Sequence, residues 1–363
     1  MKITDVQAHL LAIPGKEADF PSPRVGKDFY QVIVEVKTDE GITGYGDSFA
    51  YFGIGHATAA VINHVLKPMI TGADPANISS IQNQMYRQTH LLGRYGINTF
   101  AISGVDIALW DIAGKCAGLP LYRLLGGVKD LKVPAYASLP RYSDLQDLAA
   151  AALHARRAGF DMIKLHQLDV ESLKAVRQAV GEDTRLMLDI NCAWSPEEAL
   201  KMARQFAPYN LYWFEEPIWP PEDFQSLARL GYLSAIPIAA GENACTAYQF
   251  KAMLDAGAAT YIQPSVIKVG GISDWHKIAV LAEAYNVKVA PHSPYFGPGL
   301  LATAHLVAAT PCAESLEYYY VRLEASVFKQ PPKVEKGYIV LPQAPGLGLE
   351  IDPAVLRHYR VGP

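Results

Sequence analysis

A chain of 363 residues, 50% hydrophobic and 19% charged with a formal net charge of −4, has the composition of a soluble globular protein with room for one large or two ordinary domains. The acidic balance and the scatter of Lys and Arg argue against nucleic acid or a membrane surface as partner, and no window reaches the ~18 uninterrupted apolar residues of a membrane span. Cys116, Cys192, Cys245 and Cys312 lie too far apart for a zinc or redox pair, and the start "MKITDVQAHLLAIP" mixes charge among its apolar residues unlike a signal peptide, so a cytoplasmic protein with a small-molecule partner is expected.

In chain order, "FYQVIVEVKTDEGITGYGD" (29–47) reads as two antiparallel strands around the turn Asp39-Glu40-Gly41, and helical segments follow from about His56 to Cys116. Residues 1–125 are therefore expected to form an α+β domain. From Lys132 the pattern changes to short apolar runs that each end in a polar residue: "VPAYASL", "DMIKLH", "RLMLDIN", "LYWFEEP", "IPIAAGE", "TYIQPS", "VKVAPH" and "AESLEY". The chemically interesting ends, Lys164, Asp189, Glu215, Glu242, Ser265, His292 and Glu317, follow one another at gaps of 25, 26, 27, 23, 27 and 25 residues. Amphipathic stretches lie between them, such as "SPEEALKMARQFA" (195–207), which opens on a capping box from Ser195 to Glu198. Strand and helix thus alternate at the period of a β/α unit, and eight such units close into a parallel barrel whose strand C-termini carry the active site. An open doubly wound sheet would show a Gly-rich turn after its first strand, and none is present. The barrel is expected over 126–329. The tail 330–363, with the Pro- and Gly-punctuated "KGYIVLPQAPGLGLEID", is expected to pack back on the first domain as loop and short strand.

Asp189, Glu215 and Glu242 close three consecutive strands. Singly, each reads as a helix cap or a solvated loop acid. Together they would repel one another and raise each other's pKa unless a cation neutralises them, and oxygen ligands of this kind suit Mg²⁺. Asn191 shares the face of Asp189 and is placed to contact substrate, whereas Glu216 points the other way and is expected to pack against a lysine such as Lys268. Lys164 and His166, two apart, share one face of their strand at the barrel rim.

These residues carry a resemblance. "AISGVDIALWDIAGKCAGLPLYRLLGG" (101–127), the spacing of Asp189, Glu215 and Glu242, the "FEEP" and "GEN" contexts, "IKVGG" and "PGLGLEID" together resemble the mandelate racemase/muconate-lactonising branch of the enolase superfamily over essentially the whole chain. The resemblance implies an α/β fold with an N-terminal α+β capping domain over a modified TIM (β/α)7β barrel. It also implies a Mg²⁺ ion held by Asp189, Glu215 and Glu242, and removal of the proton α to a carboxylate to give a metal-stabilised enediolate.

The family's second-strand motif is Lys-x-Lys, the first lysine neutralising the substrate carboxylate and the second acting as base. Here Lys164 fits the first role and His166 takes the second position. A histidine titrates roughly four units below lysine and can be a neutral base at pH 7. His292 ends the seventh strand, where mandelate racemases pair a histidine with an aspartate in "D-x-x-K-x-GG". This chain has Ser265 in "SVIKVGG". A serine hydroxyl fixes a tautomer without stabilising an imidazolium, so His292 is expected to be a weak base that serves as acid or hydrogen-bond donor. Glu317 matches the family's glutamate that hydrogen-bonds the substrate carboxylate. The loops 16–30 and 48–56 resemble the two cap loops that close over substrate, which makes Phe20, Arg24, Tyr51, Phe52 and His56 candidate contacts, with Ser265 beside the barrel mouth; Tyr295, Phe296 and Tyr318 to Tyr320 add aromatic material there.

The expected activity is Mg²⁺-dependent dehydration of a sugar acid or hydroxy acid by a homo-oligomer of dimer to octamer size. Racemisation or epimerisation, and then cycloisomerisation, are the alternatives within this chemistry. A non-catalytic carboxylate-binding protein is the alternative outside it.

Overall fold

The computed structural model describes residues 1–128 and 130–362, the side chain of Phe52 excepted. Strands β1 (Ile3–Pro14), β2 (Asp28–Thr38) and β3 (Thr43–Ser48) form an antiparallel sheet in that order. The turn after β2 lies where the sequence places it, with Gly41 at φ +78°. β1 pairs with β2 along nearly its whole length, although its pattern of apolar residues is too irregular to announce a strand. Against this sheet packs the helix Ile97–Ala117, buried on almost every side and ended by the left-handed Gly118. Contact is backbone to backbone: a Cβ on Gly46 would lie 1.9 Å from the Gly104 carbonyl oxygen, which only glycine avoids. Among the described residues no helix is long and apolar enough to cross a membrane.

Eight parallel strands follow: β4 (Lys132–Ser138), β5 (Met162–Leu165), β6 (Arg185–Asp189), β7 (Leu211–Glu215), β8 (Ile238–Ala240), β9 (Tyr261–Ile262), β10 (Lys288–Val289) and β11 (Leu316–Tyr319). Each of the first seven is followed by a helix. The sheet closes because β11 pairs with β4 and a bridge from Val289 to Ala313 joins β10 to the approach of β11. The result is a (β/α)7β barrel. Strand alternation fills its interior with Tyr136, Met162, Met187, Trp213, Ala239, Tyr261 and Ala290.

Strands β12 (Val334–Glu335) and β13 (Tyr338–Val340) form a hairpin around Lys336 and Gly337, both at positive φ, and β13 adds antiparallel to β4 of the barrel. The last residues turn to the other domain, where the Val361 amide donates to Leu10 and Tyr359 accepts from Ala12. The tail therefore divides its contacts between barrel and cap. Asp106 joins cap to barrel, accepting from the Ser273 hydroxyl (2.6 Å) and amide (3.0 Å), and Asp111 joins cap to tail, accepting from the amides of Tyr45 (2.9 Å) and Leu347 (2.8 Å).

Candidate active site

Two residues beyond each member of the barrel filling, the same inward parity presents Ser138, Lys164, Asp189, Glu215, Gly241, Gln263 and His292, and Glu317 follows Ser315 in the same way. This ring is the floor of the site. Lys164 is wholly buried, with Nζ 2.5 Å from Glu215, 3.0 Å from Glu317 and 3.2 Å from Asp189. Burial alone would depress its pKa, but Glu215, Glu317 and Asp189 outweigh burial and hold it well above the usual lysine value.

Asp189, Glu215 and Glu242 offer carboxylate oxygens that all lie within 4.8 Å of one another. Glu242 reaches the group through a break in alternation: Gly241, at φ +131°, turns the chain so that the next side chain also faces inward. A Cβ at Gly241 would lie 2.8 Å from the Phe250 ring and 3.0 Å from the Gln263 nitrogen. Burial, with Asp189 adding repulsion, pushes the Glu242 carboxyl up to about 8; burial likewise raises Glu215 although Lys164 opposes it. Asp189 is held low, its burial overcome by Lys164, His166 and the Asn191 amide. Lys268 offsets this only in part, since its charge opposes the rise while its ammonium bonds the Glu242 carbonyl instead of the carboxylate. The protein's own cations thus leave this all-oxygen cluster short of positive charge, and its donor set fits a hard divalent ion.

His166 donates from Nδ1 to the Leu139 carbonyl (2.6 Å), and its Nε2 lies 3.2 Å from Asp189. His292 stands on the far side of the mouth. Its Nδ1 is 3.2 Å from the Ser265 hydroxyl and 3.3 Å from the Tyr295 hydroxyl, its Nε2 is 3.4 Å from Glu242, and burial pulls its pKa down to about 3. Glu317 accepts from Ser138 (2.5 Å) and from the Ser293 amide (3.2 Å), and with Lys164 close by it stays ionised despite burial. Asn191 sits in the left-handed region at φ +48°, its amide bonded to Asp189 (2.9 Å).

The cap residues separate. Arg24 lies 4.7 Å over the Phe29 ring, beside an aromatic wall in which Phe29 meets Phe296 (5.3 Å) and Tyr319 (6.0 Å). The Tyr51 hydroxyl bonds the Pro294 carbonyl at 2.5 Å. Phe20, expected at the substrate, is instead packed away from the mouth between Tyr320 (4.7 Å) and His154 (5.0 Å). It is a wedge that seats the loop. His56 is exposed beside Gly362, away from the barrel mouth, and the Phe52 side chain lies outside the described residues. Glu216 is likewise corrected: at φ +43° it accepts from the Gly241 amide (2.8 Å) and Cys192 (3.2 Å), not from Lys268. Ser138, Gln263 and Ser293 were not singled out from the sequence. Parity would have found the first two, because each stands two residues beyond an inward-facing aromatic.

Two family models match the chain, the mandelate racemase/muconate lactonizing enzyme N-terminal domain over residues 25–126 and the enolase C-terminal domain-like family over residues 147–355. An arabinonate dehydratase of Saccharolobus solfataricus is 37% identical over 91% of this chain and 90% of its own length. A 3,6-anhydro-alpha-L-galactonate cycloisomerase of Streptomyces coelicolor is 34% identical over 92% of each chain. The crystal structure of a racemase from Streptomyces coelicolor A3(2) with bound magnesium superposes with a TM-score of 0.89 at 32% identity, covering 99% of this chain and 100% of that one. The chain belongs to the mandelate racemase/muconate lactonizing enzyme family of the enolase superfamily, and is a lyase or isomerase whose site suits removal of the proton α to a carboxylate.

Proposed function

We propose that the protein dehydrates a sugar acid with the help of Mg²⁺, working in the cytoplasm as a homo-oligomer on a small-molecule carboxylate. What supports this reading most is the convergence at one barrel mouth of a carboxylate trio, a buried ammonium and two imidazoles on opposite sides. Asp189, Glu215 and Glu242 would hold the metal, which when bound supplies fixed positive charge next to the substrate carboxylate. Lys164 adds a second positive charge that neutralises that carboxylate and stabilises the enediolate. His166 is the base: its Nδ1 proton is committed to Leu139, so Nε2 is the nitrogen that takes the proton, and Asp189, 3.2 Å from it, stabilises the imidazolium that forms. Glu317, fixed by Ser138 and Ser293, bonds the substrate carboxylate, with Asn191 beside it.

His292 faces hydroxyls where a His-Asp dyad would have a carboxylate. A hydroxyl proton directed at Nδ1 leaves the imidazole proton on Nε2, where it is a hydrogen-bond donor to the departing β-hydroxyl. Arg24 and Tyr51 close the mouth from the cap. The α-proton passes to His166 and the β-hydroxyl departs as hydroxide, which the proton released from the His166 imidazolium converts to water; the enol left behind tautomerises to a 2-keto-3-deoxy acid.

Screening aldonic and aldaric acids with Mg²⁺-loaded protein, with semicarbazide detection of product, tests this directly. A 2-keto-3-deoxy acid is expected. Deuterium entering recovered acid in D₂O with no keto acid would favour the racemase or epimerase reading, a lactone-derived product the cycloisomerase reading, and binding without exchange a non-catalytic protein.

A further inference from the structure

Gln263 is a member of the floor ring whose polar atoms find nothing to bond. Its side chain is wholly buried, and neither the carboxamide oxygen nor the nitrogen has a hydrogen-bond partner among the described residues. Every other ring member with a polar side chain is engaged: Ser138 with Glu317, Lys164 with three acids, Glu215 also with the Trp213 indole at 2.7 Å, and His292 with two hydroxyls. A buried carboxamide left unpaired on both sides is costly enough that proteins rarely keep one without use. Neither neighbouring strand offers help, because on the β8 side the ring position is Gly241, with no side chain, and on the β10 side it is His292, whose Nδ1 is engaged by Ser265 and Tyr295.

Position adds a second argument. In the closed order β4 to β11, Gln263 follows β9 and Lys164 lies on β5, four strands apart in an eight-strand barrel and so on opposite walls. An acid whose carboxylate is held near Lys164 therefore extends its chain toward Gln263. The chemistry of the group narrows what it meets there. A carboxamide donates and accepts at once, which matches a hydroxyl and is a poor match for a second carboxylate or an alkyl chain.

Resting on the reading of this mouth as an acid-binding site, we propose that Gln263 is a substrate-binding residue that holds a hydroxyl of the acid, and that it selects hydroxylated acids over their deoxy counterparts. Sites built to hydrogen-bond a substrate hydroxyl reject the analogue lacking it, since the buried group is again left unpaired.

The test is calorimetric titration of the Mg²⁺-loaded wild type and Gln263→Met, a replacement of similar volume with no hydrogen-bonding amide. The probes are whichever of arabinonate and galactonate binds more tightly, and its 2-deoxy and 3-deoxy counterparts. The parent acid should bind Gln263→Met about tenfold or more weakly, one deoxy acid should bind both proteins equally, and the melting temperature and Mg²⁺ affinity should not change. Equal binding of the parent acid by both proteins, or an equal loss for parent and both deoxy acids, would overturn the proposal and leave Gln263 as a bond to internal water. Failure of the wild type to bind any acid would remove the acid-site reading itself, a result distinct from either.

Discussion

At His292 the side chain is set by two hydroxyls and by burial. Burial pulls its pKa down to about 3, with no carboxylate at Nδ1 to oppose it, so the imidazole is neutral at pH 7. Ser265→Ala removes one neutral hydrogen bond, about 1 kcal/mol, and should be mild, because the Tyr295 hydroxyl still stands 3.3 Å from Nδ1. Ser265→Asp should raise the His292 pKa and increase α-proton exchange from the His292 face, as followed by stereospecific deuterium incorporation. A Ser265→Ala variant as damaged as His292→Ala would show that the hydroxyl itself is part of the chemistry. On the opposite face, His166→Asn should preserve binding of the acid while stopping exchange, and Lys164→Ala should lose both, a split readable as separate effects on KM and kcat. Which residues gather at the barrel mouth was legible from strand-end spacing alone, since polar residues that close apolar runs at intervals of 23 to 27 residues fall at the C-terminal ends of successive barrel strands. What their side chains touch was not. Phe20 and Arg24 stand on one loop with nothing in their sequence to separate a wedge from a mouth residue, and Tyr295 acquires its place beside Ser265 only once the loop after β10 is folded.

Elements carry the next constraint, and β8 shows it most clearly. Strict alternation would turn Glu242 out of the barrel, and the positive φ of Gly241 turns it in. Gly241→Ala should therefore strain the turn, press on Phe250 and weaken Mg²⁺ binding together with thermal stability, checked by metal titration and melting. The helix Ile97–Ala117 supplies a pH-dependent joint. Burial raises the Asp106 carboxyl from 3.8 to about 7 against the bonds from Ser273 and Gln82. A carboxyl raised on folding contributes stability that is complete below its unfolded pKa and is lost as pH rises through its folded one. Asp106→Asn should accordingly flatten the dependence of melting temperature on pH between about 4 and about 7, relative to wild type. Period and capping residues made the barrel helices and strands legible, Ser195 to Glu198 forming the expected capping box. Positive-φ turns at Glu216, Asn191 and Gly241 were not, because a backbone that leaves strand geometry obscures the parity from which facing is read.

Across the whole molecule, cap and barrel meet over the mouth, so ligands that fill the site bind the folded protein alone and stabilise it by mass action, about 2.7 kcal/mol at a hundredfold excess over Kd. Chelation should abolish activity and lower the melting temperature, and Glu215→Gln should do the same while keeping the barrel's circular dichroism. The two-domain outline was visible in the change of pattern near Lys132; the tail's hairpin on β4 was not, since a two-residue strand carries too little pattern to name its partner. The claim on which the rest depends is that this mouth removes the α-proton of a carboxylate. Proton NMR of aldonic and aldaric acids in D₂O with Mg²⁺-loaded protein measures that step whichever product follows. The α-proton signal of at least one acid should disappear with wild type and persist with His166→Asn and Glu215→Gln; persistence with wild type for every acid, or equal loss with all three proteins, would contradict the account.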